Sequence, residues 1–280
     1  MAEITAAAVK ALRERTGLPM MDCKKALAEV GGDPEAAIEW LRKHGKQKMT
    51  TRSDRETGFG RVGVRASMAD PAGGTMVELQ CESAPVAGHE EFVQLTRDLA
   101  EQLALGPGAA TPDDLLLQPS PSKPGSTLRE QMDDLTNRIR EVFRLRRIVR
   151  FDGPCGGYAH HNGTVGVLLE AQGGNAEVAK DICMHIAASR PLVIRREDLD
   201  PAVVEKEKSL LAEVARNEGK PEKIIAKIIE GRLKDFYTER CLVDQVHVNK
   251  EKYGEQTIGK LADAAGLKLV RFALWELGKE

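Results

Sequence analysis

The hydrophobic pattern of this chain changes period near Gly60, and that change limits what it can fold into. Before it, apolar residues recur every three to four positions, as along one face of a helix. After it they alternate with polar residues, as on a half-buried strand. A chain of 280 residues with such a switch is expected to carry a helical unit ahead of a larger α+β unit.

Three short helices are expected in residues 1–45. Thr5 to Thr16 carries Val9 and Leu12 on one face, and Gly17 is placed to end it. Met20 to Val30 stops at Gly31 and Gly32. Asp33 is an N-cap with Pro34 at the first helical position. That third helix carries Ala37, Ile38 and Leu41 and is expected to end at Gly45. Three such helices bury one small core, as a ubiquitin-associated domain does. Residues 46–59 are polar with little periodicity and read as a linker that leaves the bundle mobile.

In 60–150, Val62, Val64, Ala66 and Met68 alternate, Pro71 to Gly74 is turn chemistry, and Val77, Leu79 and Cys81 alternate again. This predicts a β-hairpin. Phe92, Leu95, Leu99 and Leu103 then form a helical stripe. Residues 106–126 hold five of the thirteen prolines and read as an irregular insertion with a short turn at Asp113–Leu117. A second helix carries Leu128, Met132, Leu135, Ile139 and Val142. Ile148 to Phe151 reads as a strand leading to a Gly-rich turn, then a strand over Thr164–Glu170 and a helix over Glu177–Ser189. The spacing thus predicts two related antiparallel α+β subdomains, 60–150 and 151–196. Residues 197–237 predict a helical hairpin with apolar stripes through Val203, Leu210, Ile225, Ile228 and Ile229. Its apolar area exceeds what one partner helix covers. Residues 238–280 return to the core through a short helix and a strand at Leu267–Trp275.

Composition narrows the function classes. With 41 basic and 43 acidic residues, net charge −2, the chain is not expected to bind a specific nucleic acid through its overall field. Aromatics at 4% supply few stacking platforms. No run reaches the length of a membrane span, and the charged first residues lack the features of a targeting segment. The five scattered cysteines read as buried free thiols of a cytoplasmic protein.

No phosphate-binding loop, dinucleotide fingerprint, nucleophile elbow or H-E-x-x-H motif is present in the sequence. The most suggestive polar cluster is Tyr158-Ala-His160-His161-Asn162-Gly163, near Cys155. It reads as a metal or acid–base site, as a strand-edge turn whose imidazoles bond to backbone, or as a partner contact. Adjacent histidines on a strand point to opposite faces, which disfavours the metal. His185 reads as a packed, hydrogen-bonded helix residue. Arg138, Arg140, Arg144, Arg146, Arg147 and Arg150 read as a solvated basic face. The residues alone favour a protein-binding factor over an enzyme.

The run from Leu12 to Leu27, containing Thr16-Gly17-Leu18-Pro19-Met20-Met21-Asp22-Cys23-Lys24-Lys25, resembles the signature of bacterial elongation factor Ts. Gly32-Asp33-Pro34-Glu35, Tyr158-x-His160 with Gly163-x-Val165-Gly166-Val167, Met184-His185-Ile186-Ala187-Ala188, Gly219-Lys220-Pro221-Glu222 and Glu230-Gly231-Arg232 are similar to the same family, in family order. The resemblance implies a guanine-nucleotide exchange factor for elongation factor Tu, without covalent chemistry or a cofactor of its own, acting on the GDP, GTP and magnesium held by the partner. It implies partner contacts at Arg13, Met20, Met21, Cys23, Lys24, His160 and Gly163. It also implies a homodimer contact through the hairpin at Ile225, Ile228 and Ile229.

The family's Thr-Asp-Phe-Val motif, whose phenylalanine wedges beside the partner's magnesium site, corresponds to Ser83, Ala84, Pro85 and Val86 here. Ala84 has no carboxylate and Pro85 has no ring. The expectation is that exchange persists with Pro85 as an apolar wedge, or that the partner's pocket has changed with it. The alternative is a module of the same fold that tethers elongation factor Tu or the ribosome without efficient exchange.

Overall fold

The computed structural model describes residues 4–50 and 55–279. In chain order its elements are α1 (Ala6–Thr16), α2 (Met20–Glu29), α3 (Pro34–Thr50), β1 (Phe59–Ser67), β2 (Gly73–Cys81), α4 (Ala84–Ala87), α5 (Glu90–Leu105), α6 (Pro112–Leu116), α7 (Leu128–Ile139), β3 (Arg144–Phe151), β4 (Cys155–Ala159), β5 (Val165–Gln172), α8 (Ala176–Ser189), α9 (Pro201–Asn217), α10 (Glu222–Arg240), α11 (Lys250–Tyr253), α12 (Ile258–Ala264) and β6 (Lys268–Glu276).

The α+β reading holds. Helices α1 to α3 close over Val9, Leu12, Cys23, Ala26, Leu27, Ala37 and Leu41, the core the helical stripes imply. Thr5 caps α1 through its hydroxyl, and Asp33 accepts from Glu35 N and Ala36 N at the start of α3. The expected end at Gly45 is corrected, because α3 runs on to Thr50. One glycine costs a helix only about 1 kcal/mol, and the Lys and Gln residues that follow are good helix formers. The expected linker therefore begins as helix, and residues 51–54 lie outside the described part.

Two three-stranded antiparallel sheets form the body, in the orders β1-β2-β3 and β4-β5-β6. Helices α5 and α7 cover the outer face of the first sheet through Phe92, Leu95, Leu99, Leu128 and Leu135, against Val77 and Leu79. Helices α8 and α12 cover the second through Ile182, Ile186, Ile258 and Leu261. The inner faces meet through Val62, Met76, Phe151, Cys155 and Leu168. Backbones approach closely there: a Cβ on Gly166 would lie 2.4 Å from Val62 Cγ1.

Two further expectations are corrected. The strand ending at Phe151 pairs with β2 in the first sheet. The Gly-rich stretch at Cys155–Ala159 is not a turn but strand β4, paired with β5. Its glycines are imposed by packing, since a Cβ on Gly156 would lie 2.9 Å from the Ala179 Cβ of α8. Helix α7 also ends sooner than its apolar stripe implied, with Arg140 in the left-handed region and Val142 beyond the helix.

One polar hub ties the sheets together. Glu78 on β2 is fully buried and accepts from Arg147 Nε at 2.7 Å and Arg146 Nη1 at 3.4 Å. It also accepts from Gln80 Nε2 and from Gly278 N, just beyond β6. The Arg147 guanidinium lies over the Trp275 ring. A buried carboxylate is tolerable only when paired this fully.

Candidate functional site

The segment Ser83–Val86 leaves β2 and forms the single turn α4. Proline near its start suits a helix, because that amide has no intrahelical acceptor. Ser83 donates from its hydroxyl and its amide to the Glu141 carboxylate, at 2.5 and 3.1 Å. Val86 packs against the first core, while Ala84 and Pro85 are exposed. The turn is thus anchored at its first residue and from below, with its apolar tip outward.

A second turn lies beside it. Beyond β4 the chain reverses over His160–Gly163, with Gly163 N donating to His160 O at 2.7 Å. Gly163 takes φ +76°, a conformation glycine adopts freely. The Asn162 side-chain oxygen accepts from both the amide and the hydroxyl of Thr164, so His160 Nδ1 donates to it at 2.8 Å. The two imidazoles do not point apart as strand residues would, since their ring centres are 4.2 Å apart in the turn. His160 bonds to the Asn162 side chain rather than to backbone. Among the described residues, no three His, Cys, Asp or Glu side chains are arranged to hold a metal.

Arg61 on β1 joins the two turns. Its guanidinium donates to Ala87 O at 3.3 Å and to His161 O at 3.4 Å. It fills the space in which a side chain at Gly163 would sit, and Val62 N donates to Gly163 O at 2.7 Å. The helical head reaches the same edge. Asp22 of α2 pairs with Arg140 at 2.6 Å, next to the Glu141 that holds Ser83. Sites far apart in sequence therefore form one linked series: Asp22, Arg140, Glu141, Ser83, then Arg61 and the histidine turn.

On the head, Arg13, Met20, Met21 and Lys24 are exposed, Met21 at 72%. Cys23 is corrected: it is wholly buried in the helical core, its Sγ facing Leu18 O and Thr16 Oγ1, so it cannot touch a partner directly. The hairpin divides similarly. Ile225 is only 4% exposed and is used within the chain, whereas Ile228 and Ile229 are half-buried. The exposed apolar residues are Val203, Leu210, Val214 and Ile224.

The arginine run keeps the exposure of a solvated face at Arg140, Arg144, Arg146 and Arg150, but most of its members are ion-paired as well. Arg138 pairs with Glu91, Arg140 with Asp22, Arg146 and Arg147 with Glu78, and Arg150 with Asp152. His185 is fully buried. It accepts from Val248 N at Nδ1, which fixes the other proton on Nε2, donated to Gln245 Oε1 at 2.9 Å. Burial holds it below its ordinary value of 6.5, with the neighbouring His247 adding to the effect. All five thiols are free and buried. Burial pushes those of Cys81 and Cys155 up to about 12.

Sequence reasoning missed Arg61 and Glu141. No local signal marks them, because their contacts span 26, 100 and 58 residues.

Fold and site define an α+β scaffold with helical appendages, its candidate residues gathered in surface turns at one edge. The family model for elongation factor Ts matches residues 85–279. Elongation factor Ts of Thioalkalivibrio sulfidiphilus is 40% identical over 279 residues, covering 99% of this chain and 92% of the relative. That of Methylococcus capsulatus is 41% identical over 280 residues, with the same coverage. That of Cutibacterium acnes is 38% identical over 281 residues, covering 99% of both chains. The chain belongs to the elongation factor Ts family of translation elongation factors. Among the described residues, no helix is long and apolar enough to cross a membrane.

Proposed function

We propose that this protein binds elongation factor Tu in its GDP form and accelerates GDP release, so that GTP can reload. The observation that carries the reading is the α4 turn. Ala84 and Pro85 are exposed at its tip, while Glu141 and Arg61 hold its ends beside the histidine turn. A preset apolar tip can enter a partner's pocket without first ordering itself.

The mechanism is linkage. A factor that binds the nucleotide-poor partner best weakens GDP by the same coupling with which GTP later expels the factor. No covalent step and no cofactor of its own are needed. The tip only has to disturb the site of the partner's magnesium, the largest local charge holding the diphosphate. Ser83, Ala84, Pro85 and Val86 form this magnesium-dislocation region. Arg13, Met20, Met21, Lys24, His160 and Gly163 belong to the surrounding contact surface, and the head serves as a ubiquitin-associated-like docking unit. The setting is cytoplasmic translation.

Pro85 also motivates a second reading. It lacks the ring, and Ala84 lacks the carboxylate, of the motif the family carries, so a tethering module would keep the surface and lose the exchange. Release of labelled GDP from cognate elongation factor Tu separates the two. Acceleration on adding this protein, reduced several-fold by Pro85→Gly, supports exchange. Tight binding with an unchanged release rate selects tethering. A homodimer through the exposed apolar face of the hairpin is a further expected assembly, read by sedimentation at several concentrations.

A further inference from the structure

Residues 140–142, between α7 and β3, each bond to a different part of the chain. Arg140 donates to Asp22 of α2 at 2.6 Å. Glu141 accepts from Ser83 at the foot of α4, and Val142 N donates to Glu82 Oε1 at 2.7 Å. Glu82 also receives Arg55 at 3.1 Å, the first described residue beyond α3. Head, tip and the entry of the chain into the body thus converge on three consecutive residues.

The backbone at Arg140 is costly for an arginine. Its φ of +68° lies in the left-handed region, where glycine ends helices freely. Two residues earlier, Arg138 lies against the turn between α1 and α2, since a Cβ on Gly17 would be 2.9 Å from its Cδ. Arg138 is itself held by Glu91 and Asp134. The head therefore meets the end of α7 at an ion pair and at a close backbone approach. The Arg140 and Asp22 side chains are 47% and 27% exposed, so their pairing adds little stability. What it fixes is orientation.

We infer that Arg140 is a positioning residue: with Asp22 it latches the head onto α7, so that Met20, Met21 and the α4 tip reach the partner GTPase as one preset surface. This rests on the reading of the chain as a partner of elongation factor Tu. Met20 and Met21 directly precede Asp22 and stay exposed while Asp22 is engaged. Glu141, the next residue, holds the foot of the tip, so one dipeptide sets both sites. Two contact sites kept at a fixed separation bind as a unit, because docking of one leaves the other already in place.

The test has two readouts on the full chain. Backbone NMR relaxation of the free protein compares the tumbling of α1–α3 with that of the two sheets. Equilibrium titration with cognate elongation factor Tu·GDP reads affinity, and thermal melts control for folding. The wild-type head is expected to tumble with the body. Arg140→Gly removes the guanidinium and suits the left-handed backbone, so the head gains faster motion while the melting temperature does not fall. Its affinity is expected to weaken about threefold, and that of Arg140→Glu more. Asp22→Arg combined with Arg140→Asp restores both readouts. A wild-type head that already tumbles faster than the body, or an Arg140→Glu head that still tumbles with it, overturns the latch. A double variant that leaves the affinity loss in place assigns that loss to direct partner contact and overturns the positioning role. A wild type that does not bind overturns the partner reading and the positioning role with it, a failure the relaxation of the free chain keeps distinct from that of the latch.

Discussion

The hub at Glu78 and the turn at Ser83–Val86 lie a few residues apart on one strand and its exit, and they use charge in opposite ways. At the hub a carboxylate is sealed from water and satisfied by two guanidiniums, a side-chain amide and a backbone amide. At the turn, Glu141 holds only the first residue, and the tip is apolar and exposed. The difference teaches that the residues richest in chemistry here serve stability, whereas the residues proposed to meet the partner are plain. His185 and the arginine run belong with the hub; Ala84 and Pro85 belong with the turn.

Breaking the hub should have the largest effect on stability. Glu78→Ala leaves two guanidiniums without their acceptor and is expected to cost about 3 kcal/mol or more. Urea unfolding measures it, and a loss near zero would show that water replaces the carboxylate. His185→Ala should cost about 2 kcal/mol, because Val248 N and Gln245 lose a buried partner. The same histidine predicts a pH dependence. Its folded pKa lies below 6.5, so the unfolded chain binds the proton more readily. Stability from this site is complete above pH 6.5 and is lost as the pH falls below it towards the folded pKa. Denaturation midpoints between pH 8 and pH 5, wild type against His185→Gln, read the loss. A variant with an equally steep decline would assign it to other groups.

Glu141→Ala sharpens the comparison at the turn. The contact is partly exposed, so the cost should be about 1 kcal/mol or less. The tip loses its anchor, however, and exchange should fall more than stability does. A fall in stability with unchanged exchange would make Glu141 part of the scaffold only.

The same contrast explains what was legible in the sequence. Helical stripes such as Phe92, Leu95, Leu99 and Leu103, and the caps at Thr5 and Asp33, are local, so α1, α2 and α5 could be read directly. Strand β4 could not, because glycine is a poor strand former; its strand follows from close packing against α8, visible only after folding. The ion pairs of the arginine run with Glu91, Asp22 and Glu78 could not be read, because those carboxylates lie 47 to 118 residues away. Cys23 sat within a family motif that marked a surface helix, yet it points into that helix's own core. Around the site, Ser83–Val86 and His160–Gly163 were legible as separate segments. Their junction through Arg61 was not, since a β-strand residue bridging two loops leaves no spacing to detect.

Release of labelled GDP from cognate elongation factor Tu, with and without this protein, is the most direct test. A strong acceleration that falls several-fold in Pro85→Gly, with the melting temperature unchanged, is the predicted result. An unchanged release rate at saturating, bound protein would contradict it and leave a tether in place of an exchange factor.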